Sequence, residues 1–271
     1  MSKNLTFAEM SALDQINKNI NFFVSNNLQN LSKNYNVGEA TLVRLVKKRG
    51  FSSLKEMQIS YAKKIDIENL FGNSDNNQNT KIINDVANFE VFSIIQTSEC
   101  INIKDINKTA ELLINSNKRL FFGIENSQLS ATFLANNLQK IGLNCSVYQS
   151  VHGAITELNF LNKEDSIILI FSSSGETKEC IEVAKIAHEM NLRYIWIGSE
   201  FASKKSEYLQ MANIKIFHSY HKNEILRFPN ISSSSGQLFI SNLLFNIVIN
   251  NKDGTSDILT KSNTMVKGWN S

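Results

Sequence analysis

From residue 118 onward the chain alternates short, β-rich apolar runs with segments of helical period, and this rhythm constrains the fold more than any other feature. Strands covered on both faces read as near-continuous apolar runs, and parallel neighbours need crossovers of a dozen or more residues, usually helical. The runs Arg119 to Ile124, Cys145 to Gln149, Ser166 to Phe171, Tyr194 to Gly198 and Ile214 to His218 meet the first condition. Helical periods at Gln128 to Ile141, His152 to Leu161, Thr177 to Met190 and Ser203 to Met211 meet the second, with a last one from Ser233 to Ile249. The expected class for residues 118–250 is α/β, built on a parallel sheet.

Ahead of this region everything reads as helix. Leu5 to Val24 places Phe7, Met10, Leu13, Ile16, Ile20 and Phe23 at spacings of three and four, one face of a helix. Ile82 to Cys100 and Ile103 to Leu113 are amphipathic in the same way. Between them lies Gly72 to Thr80, GNSDNNQNT, nine residues without an apolar side chain, which marks a boundary because such a run adds nothing to a core. A chain of 271 residues suits two units. The expected organisation is an all-α N-terminal domain over 1–76, a helical connection over 77–117, the α/β domain over 118–250 and a loose polar tail over 251–271. With 42% hydrophobic and 20% charged residues and one proline, the composition excludes a disordered or collagen-like chain.

The net charge of +3 is unevenly spread. Residues 39–64 hold seven basic side chains (Arg44, Lys47, Lys48, Arg49, Lys55, Lys63, Lys64) against Glu39 and Glu56. Either this is a solvated helix face or it meets a polyanion. Leu28 to Phe51 has the anatomy of a helix-turn-helix: Asn36 falls where the turn needs a left-handed backbone, and Ser32 is small where the helices approach. Leu42, Leu45 and Val46 share a face that would pack on Leu28 and Leu31, leaving Glu39, Thr41, Arg44, Lys47 and Lys48 outward to enter a DNA major groove. A three-helix bundle with no DNA partner has the same pattern. The run VGEATLVRLVKKRGF, followed by SSLKEMQISYAKK, resembles the N-terminal domain of the RpiR family of phosphosugar-responsive regulators. Val37, Ala40, Thr41, Arg44, Gly50 and Phe51 match that family's pattern, and Gly38 replaces its helix-capping serine. The resemblance implies contact with duplex operator DNA through Gly38, Glu39, Thr41, Arg44, Lys47 and Lys48.

In the α/β region two strand ends carry serine-rich turns, Phe121 to Ser130 and Phe171 to Glu179. Each presents hydroxyls and unpaired N–H groups at a helix start, which together with the helix dipole suit a phosphate at the carboxyl edge of the sheet. Gly175 permits a close turn, and Thr177 is expected to cap the helix that follows. This half resembles the SIS phosphosugar-binding domain, whose S-x-S-G-x-T loop is matched by Ser172, Ser174, Gly175 and Thr177. That family's earlier G-x-G-x-S turn is matched by Gly123 and Ser127, with Glu125 in place of the second glycine, where a carboxylate repels phosphate. The resemblance implies five parallel strands with helices on both faces, and a phosphosugar effector. His152 and Arg227 are further candidate ligand contacts, though each also suits a surface role.

The expected function is a cytoplasmic DNA-binding regulator sensing a phosphorylated sugar or amino sugar. The alternatives are a phosphosugar isomerase drawing its base from Glu125, Glu176 or His152, and a binding protein whose N-terminal bundle only dimerises. No catalytic pair, cofactor or metal site is expected. Cys100, Cys145 and Cys180 are widely separated and read as buried thiols, without metal-ligand spacing. The opening MSKNLTFAEM lacks a signal-peptide core, and the longest later apolar run, Ile167 to Phe171, is far short of the ~20 residues of a membrane helix. One helix-turn-helix reads few base pairs, and the apolar helix Leu238 to Ile249 is greasier than one face needs, so a homodimer or dimer of dimers is expected.

Overall fold

A computed structural model describes residues 5–61, 78–202, 206–220 and 231–269. Backbone packing divides the chain into two units, Met1–Asn88 and Phe89–Ser271. The division therefore falls inside a helix, Gln78–Cys100, that begins within the polar run expected to be the boundary. The rest of that run, residues 72–77, lies outside the described residues.

The first unit contains α1 (Phe7–Lys18), α2 (Ile20–Ser25), α3 (Leu28–Tyr35), α4 (Glu39–Lys48) and a helical stretch over 54–61, α5. Their core gathers Ala12, Ile16, Phe23, Leu31, Leu42, Leu45, Val46 and Met57. The single helix expected from Leu5 to Val24 is broken at Asn19, whose side-chain oxygen accepts from the Phe22 N–H at 3.0 Å and starts α2. Within α1 the buried face is Glu9, Ala12 and Ile16, which leaves Phe7 and Met10 facing solvent, and α2 buries Phe23. The α3–α4 turn is as the sequence predicts: Asn36 is left-handed, at φ 53 and ψ 44. Ser32 does more than save space, since its hydroxyl donates to the Val37 carbonyl at 2.6 Å. Gly38 opens α4 without a side-chain cap.

The second unit runs α6 (Gln78–Cys100, from Phe89 on), α7 (Ile103–Asn115), β1 (Lys118–Gly123), α8 (Asn126–Lys140), β2 (Cys145–Tyr148), α9 (Val151–Leu158), β3 (Ser166–Phe171), α10 (Lys178–Glu189), β4 (Tyr194–Ser199), α11 (Glu207–Met211), β5 (Ile214–His218), α12 (Ile231–Asn251) and α13 (Thr255–Trp269). All five strands are parallel in the order β2-β1-β3-β4-β5. Strand alternation divides the core into two. Phe121, Ile167, Leu169, Phe171, Ile195 and Ile197 point to α7, α8 and α12, whereas Leu120, Phe122, Ile168, Ile170 and Trp196 point to α9, α10 and α11.

Three expectations about the flanks are corrected. The connection ahead of β1 belongs to the α/β core through Ile106, Ala110 and Leu113, all fully buried. The guanidinium of buried Arg119 donates to the carbonyls of Leu113 and Ile114, so the first strand caps the end of α7. The tail is not loose: it forms α13, which buries Thr255 and packs Leu259 on the core. The apolar surplus of α12 is largely used inside the unit, where Ile240, Leu244 and Val248 are fully buried and Leu243 and Ile247 pack beside them. Of the thiols, Cys145 and Cys180 are buried and Cys100 is exposed. Among the described residues no helix is long and apolar enough to cross a membrane, and no group of three His, Cys, Asp or Glu side chains gathers to hold a metal.

Candidate functional site

In the first unit α4 follows its turn with Leu42, Leu45 and Val46 inward and Glu39, Arg44 and Lys47 exposed. Gly38 is exposed and Thr41 half-buried. The Arg44 guanidinium lies back along the helix, donating to the Ala40 carbonyl and the Thr41 hydroxyl at 3.3 Å each, so these side chains present one polar patch near the start of α4. Lys48 departs from the expectation. Its side chain is only 21% exposed, and its ammonium pairs with the buried carboxylate of Glu9 at 2.6 Å, tying α4 to α1. Glu9 also accepts from the Thr6 N–H at 2.7 Å, and these bonds, the Lys48 one foremost, hold its carboxyl below the ordinary value of 4.5. A depressed carboxyl pKa contributes stability that is present above the unfolded value and lost as pH falls through the folded one. Glu9→Gln should therefore lower the melting temperature of the full chain at pH 7, with the gap to wild type closing as pH falls below about 4.5. A pH-independent gap would deny the ion pair this role.

In the second unit the chain leaves β1 to one side to build β2, then returns to the other side for β3. The turns after β1 and β3 thus diverge at the point where strand order reverses, and open α/β sheets bind ligands in the crevice formed there. A cavity of about 250 Å³ occupies this place, lined by Ile124 to Ser127, Ser173, Ser174, Thr177, Tyr220, Ser233, Ser234 and Gln237. Gly123 ends β1 so close to α8 that an added Cβ would lie 2.9 Å from the Ser127 carbonyl carbon. Glu125 takes up φ 52, a left-handed backbone that glycine adopts more readily, and its exposed residue stands at the rim. Gly175 is buried at φ 71 and lets the second loop turn back over α10.

A polar network closes the cavity floor. The Gln237 amide, from α12, donates to Ser127 at 3.2 Å and to Ser173 at 2.9 Å, joining the two serine loops. Ser173 also meets the Ser233 hydroxyl at 2.7 Å and His218 Nε2 at 3.1 Å. His218 ends β5 fully buried, and desolvation pushes its pKa down to about 3, so the imidazole is neutral at working pH. The next residue, Ser219, is held by α6: its carbonyl accepts from Ser93 at 2.6 Å, and its N–H donates to Thr97 at 3.0 Å.

Of the ligand residues expected from sequence, Ser127, Ser174 and Thr177 meet at the cavity. Gly123 and Gly175 shape the two loops without lining it. Ser172 is buried, and its hydroxyl donates to Thr177 at 3.3 Å, so its neighbour Ser173 takes the place at the cavity. Thr177 precedes α10 without a side-chain cap bond. The Ser174 hydroxyl instead tightens the loop ahead of the helix, taking the Glu176 N–H at 3.1 Å. His152 is exposed on α9 and does not reach the cavity, and Arg227 lies outside the described residues. Ser173, His218, Ser233 and Gln237 were not singled out from sequence. Their only local signal is polarity at the end of an apolar strand or inside an apolar helix.

Residues 112–247 match the SIS domain. The chain belongs to the SIS-domain family. A helix-turn-helix ahead of a SIS domain is the RpiR arrangement, to which the sequence motifs pointed. An uncharacterized HTH-type transcriptional regulator of Clostridium perfringens is 25% identical over 258 residues, covering 90% of this chain and 88% of the relative. Among solved structures, the NanR protein of Vibrio vulnificus complexed with ManNAc-6P superposes with a TM-score of 0.63 at 19% identity, covering 97% of this chain and 94% of that one. The sugar isomerase domain of an RpiR transcription factor from Sphaerobacter thermophilus gives 0.58 at 15% identity, over 66% of this chain and 97% of that one. At these identities the two superpositions establish the fold of the SIS-domain protein.

Proposed function

We propose that this chain is a cytoplasmic DNA-binding transcriptional regulator whose SIS domain senses a phosphorylated sugar or amino sugar. The observation that carries the reading is one chain holding both a helix-turn-helix with Thr41, Arg44 and Lys47 along its second helix and a hydroxyl-lined cavity at the strand-order reversal. The cavity offers Ser127, Ser173, Ser174 and Thr177 beside the start of α8 and the loop into α10, which suits a phosphoryl group. ManNAc-6P bound to the similar NanR structure supports the same ligand class. DNA contact falls to Gly38, Glu39, Thr41, Arg44 and Lys47, and a homodimer or dimer of dimers supplies the second half-site. The effector acts through its unequal affinity for two arrangements of the protein.

The isomerase reading is less well supported. Of the three candidate bases Glu125 stands at the cavity rim while Glu176 and His152 do not line it, and a His218 with a pKa of about 3 is a poor base near neutrality. The discriminating measurement is duplex DNA affinity of the intact chain over a salt series, with and without phosphosugar. A regulator gives a steep fall of log affinity with log salt, and the effector shifts operator affinity. Arg44→Ala should weaken operator binding by about 1 to 3 kcal/mol, with melting unchanged. Turnover of a phosphosugar without salt-sensitive DNA binding would favour the isomerase.

A further inference from the structure

His218 carries one nitrogen that meets Ser173 and another, Nδ1, that is buried with no partner among the described residues. A buried N–H without an acceptor forfeits its hydrogen bond to water, and orphaned donors are rarer in folded proteins than under-used acceptors. The proton of the neutral ring therefore belongs on Nε2, which donates to Ser173. Gln237 donates to the same hydroxyl oxygen. With both lone pairs of Ser173 taken, its own hydrogen has one direction left, toward the Ser233 oxygen at 2.7 Å. Ser233 lines the cavity, and its hydroxyl hydrogen has no acceptor among the described residues.

We infer that Ser233, at the start of the last long helix of the SIS domain, is a ligand-contacting donor, and that His218 is the positioning residue that fixes its polarity through Ser173. The inference rests on the phosphosugar-sensing reading and deepens it. At Ser233 the floor of the cavity offers a hydrogen to an acceptor oxygen of the ligand, phosphoryl or carbonyl. The relay runs through neutral groups, so the preference holds across the physiological pH range.

The test is calorimetric titration of the full chain with N-acetylmannosamine 6-phosphate, glucosamine 6-phosphate and glucose 6-phosphate. Ser233→Ala should raise the dissociation constant of whichever binds wild type by roughly tenfold or more, the value of a hydrogen bond to a charged group. His218→Phe, which removes the donor, should do the same. His218→Gln, whose amide reaches the position of Nε2, should restore affinity to near wild type. The wild-type constant should also be flat between pH 6 and 8 in the contribution removed by His218→Phe. Unchanged affinity in Ser233→Ala overturns the inference while leaving phosphosugar sensing standing. Equal losses in His218→Phe and His218→Gln reduce His218 to a packing residue and overturn the relay. If wild type binds none of the three probes, the sensing reading and the inference fall together.

Discussion

Replacing Leu45 by lysine is expected to abolish DNA binding while leaving the response to phosphosugar intact. Leu45 is fully buried among Leu31, Leu42, Phe23 and Met57, a core whose members all come from residues 5–61. An ammonium placed there has lost its water, and the buried carboxylate among the described residues of the first unit, Glu9, is already held by Lys48. The penalty is several kcal/mol, comparable with the whole stability of a small unit. The α/β unit is packed around two separate clusters and should keep its fold. Limited proteolysis should cut residues 5–61 and spare residues 89–269, and a melting shift with phosphosugar should survive. Protection of the first unit, with operator affinity retained, would show that its core admits the charge.

Alanine at Gly123 should have the opposite distribution of effects. The added methyl would stand 2.9 Å from the Ser127 carbonyl carbon, 3.0 Å from its oxygen and 3.1 Å from the Gln128 nitrogen. All three are backbone atoms of the first turn of α8, so no side chain can rotate away to make room. Overpacking typically costs about 1 to 3 kcal/mol, and a rigid backbone obstacle places this case at the upper end. At that cost the melting temperature of a unit this size falls by roughly 6 to 12 °C. Any relief must come from lifting α8 off the strand, which pulls Ser127 from Gln237 and opens the cavity, so phosphosugar affinity should fall with stability. Gly38→Ala is the matched control, because its methyl would meet only the Thr41 hydroxyl, at 3.8 Å, at an ordinary φ of −65. Equal melting of Gly123→Ala and wild type would mean that the strand end tolerates displacement.

The elements of this protein were legible because their signals are local. A strand buried on both faces must be apolar throughout, and Ser166–Phe171 is recognisable from its own six residues. A left-handed turn favours asparagine or glycine, and Asn36 marks the bend between α3 and α4. Both signals concern neighbours along the chain, and no distant residue alters them. Fold class and the helix-turn-helix followed from such patterns.

Direction beyond the ends of elements was decided by tertiary structure. Two-residue alternation stops where a strand stops, so nothing in the run Ser172, Ser173, Ser174 says which hydroxyl faces the cavity. The answer depends on Thr177 taking the Ser172 hydroxyl and on Gln237, 64 residues away, reaching Ser173. Lys48 reads as one more outward cation until α1 brings Glu9 beneath it, 39 residues earlier in sequence. The helix α12 looked too greasy for one face because its partners α7 and α8 are assembled from distant segments, and the polar tail folds as α13 because Leu259 finds that same core. Sequence by itself determined the five strands and most of the helices, since helix and strand periods arise from steric and hydrogen-bonding rules among near neighbours. Which polar groups meet was left to the packing, because a buried donor or acceptor takes its partner from whatever the fold places beside it.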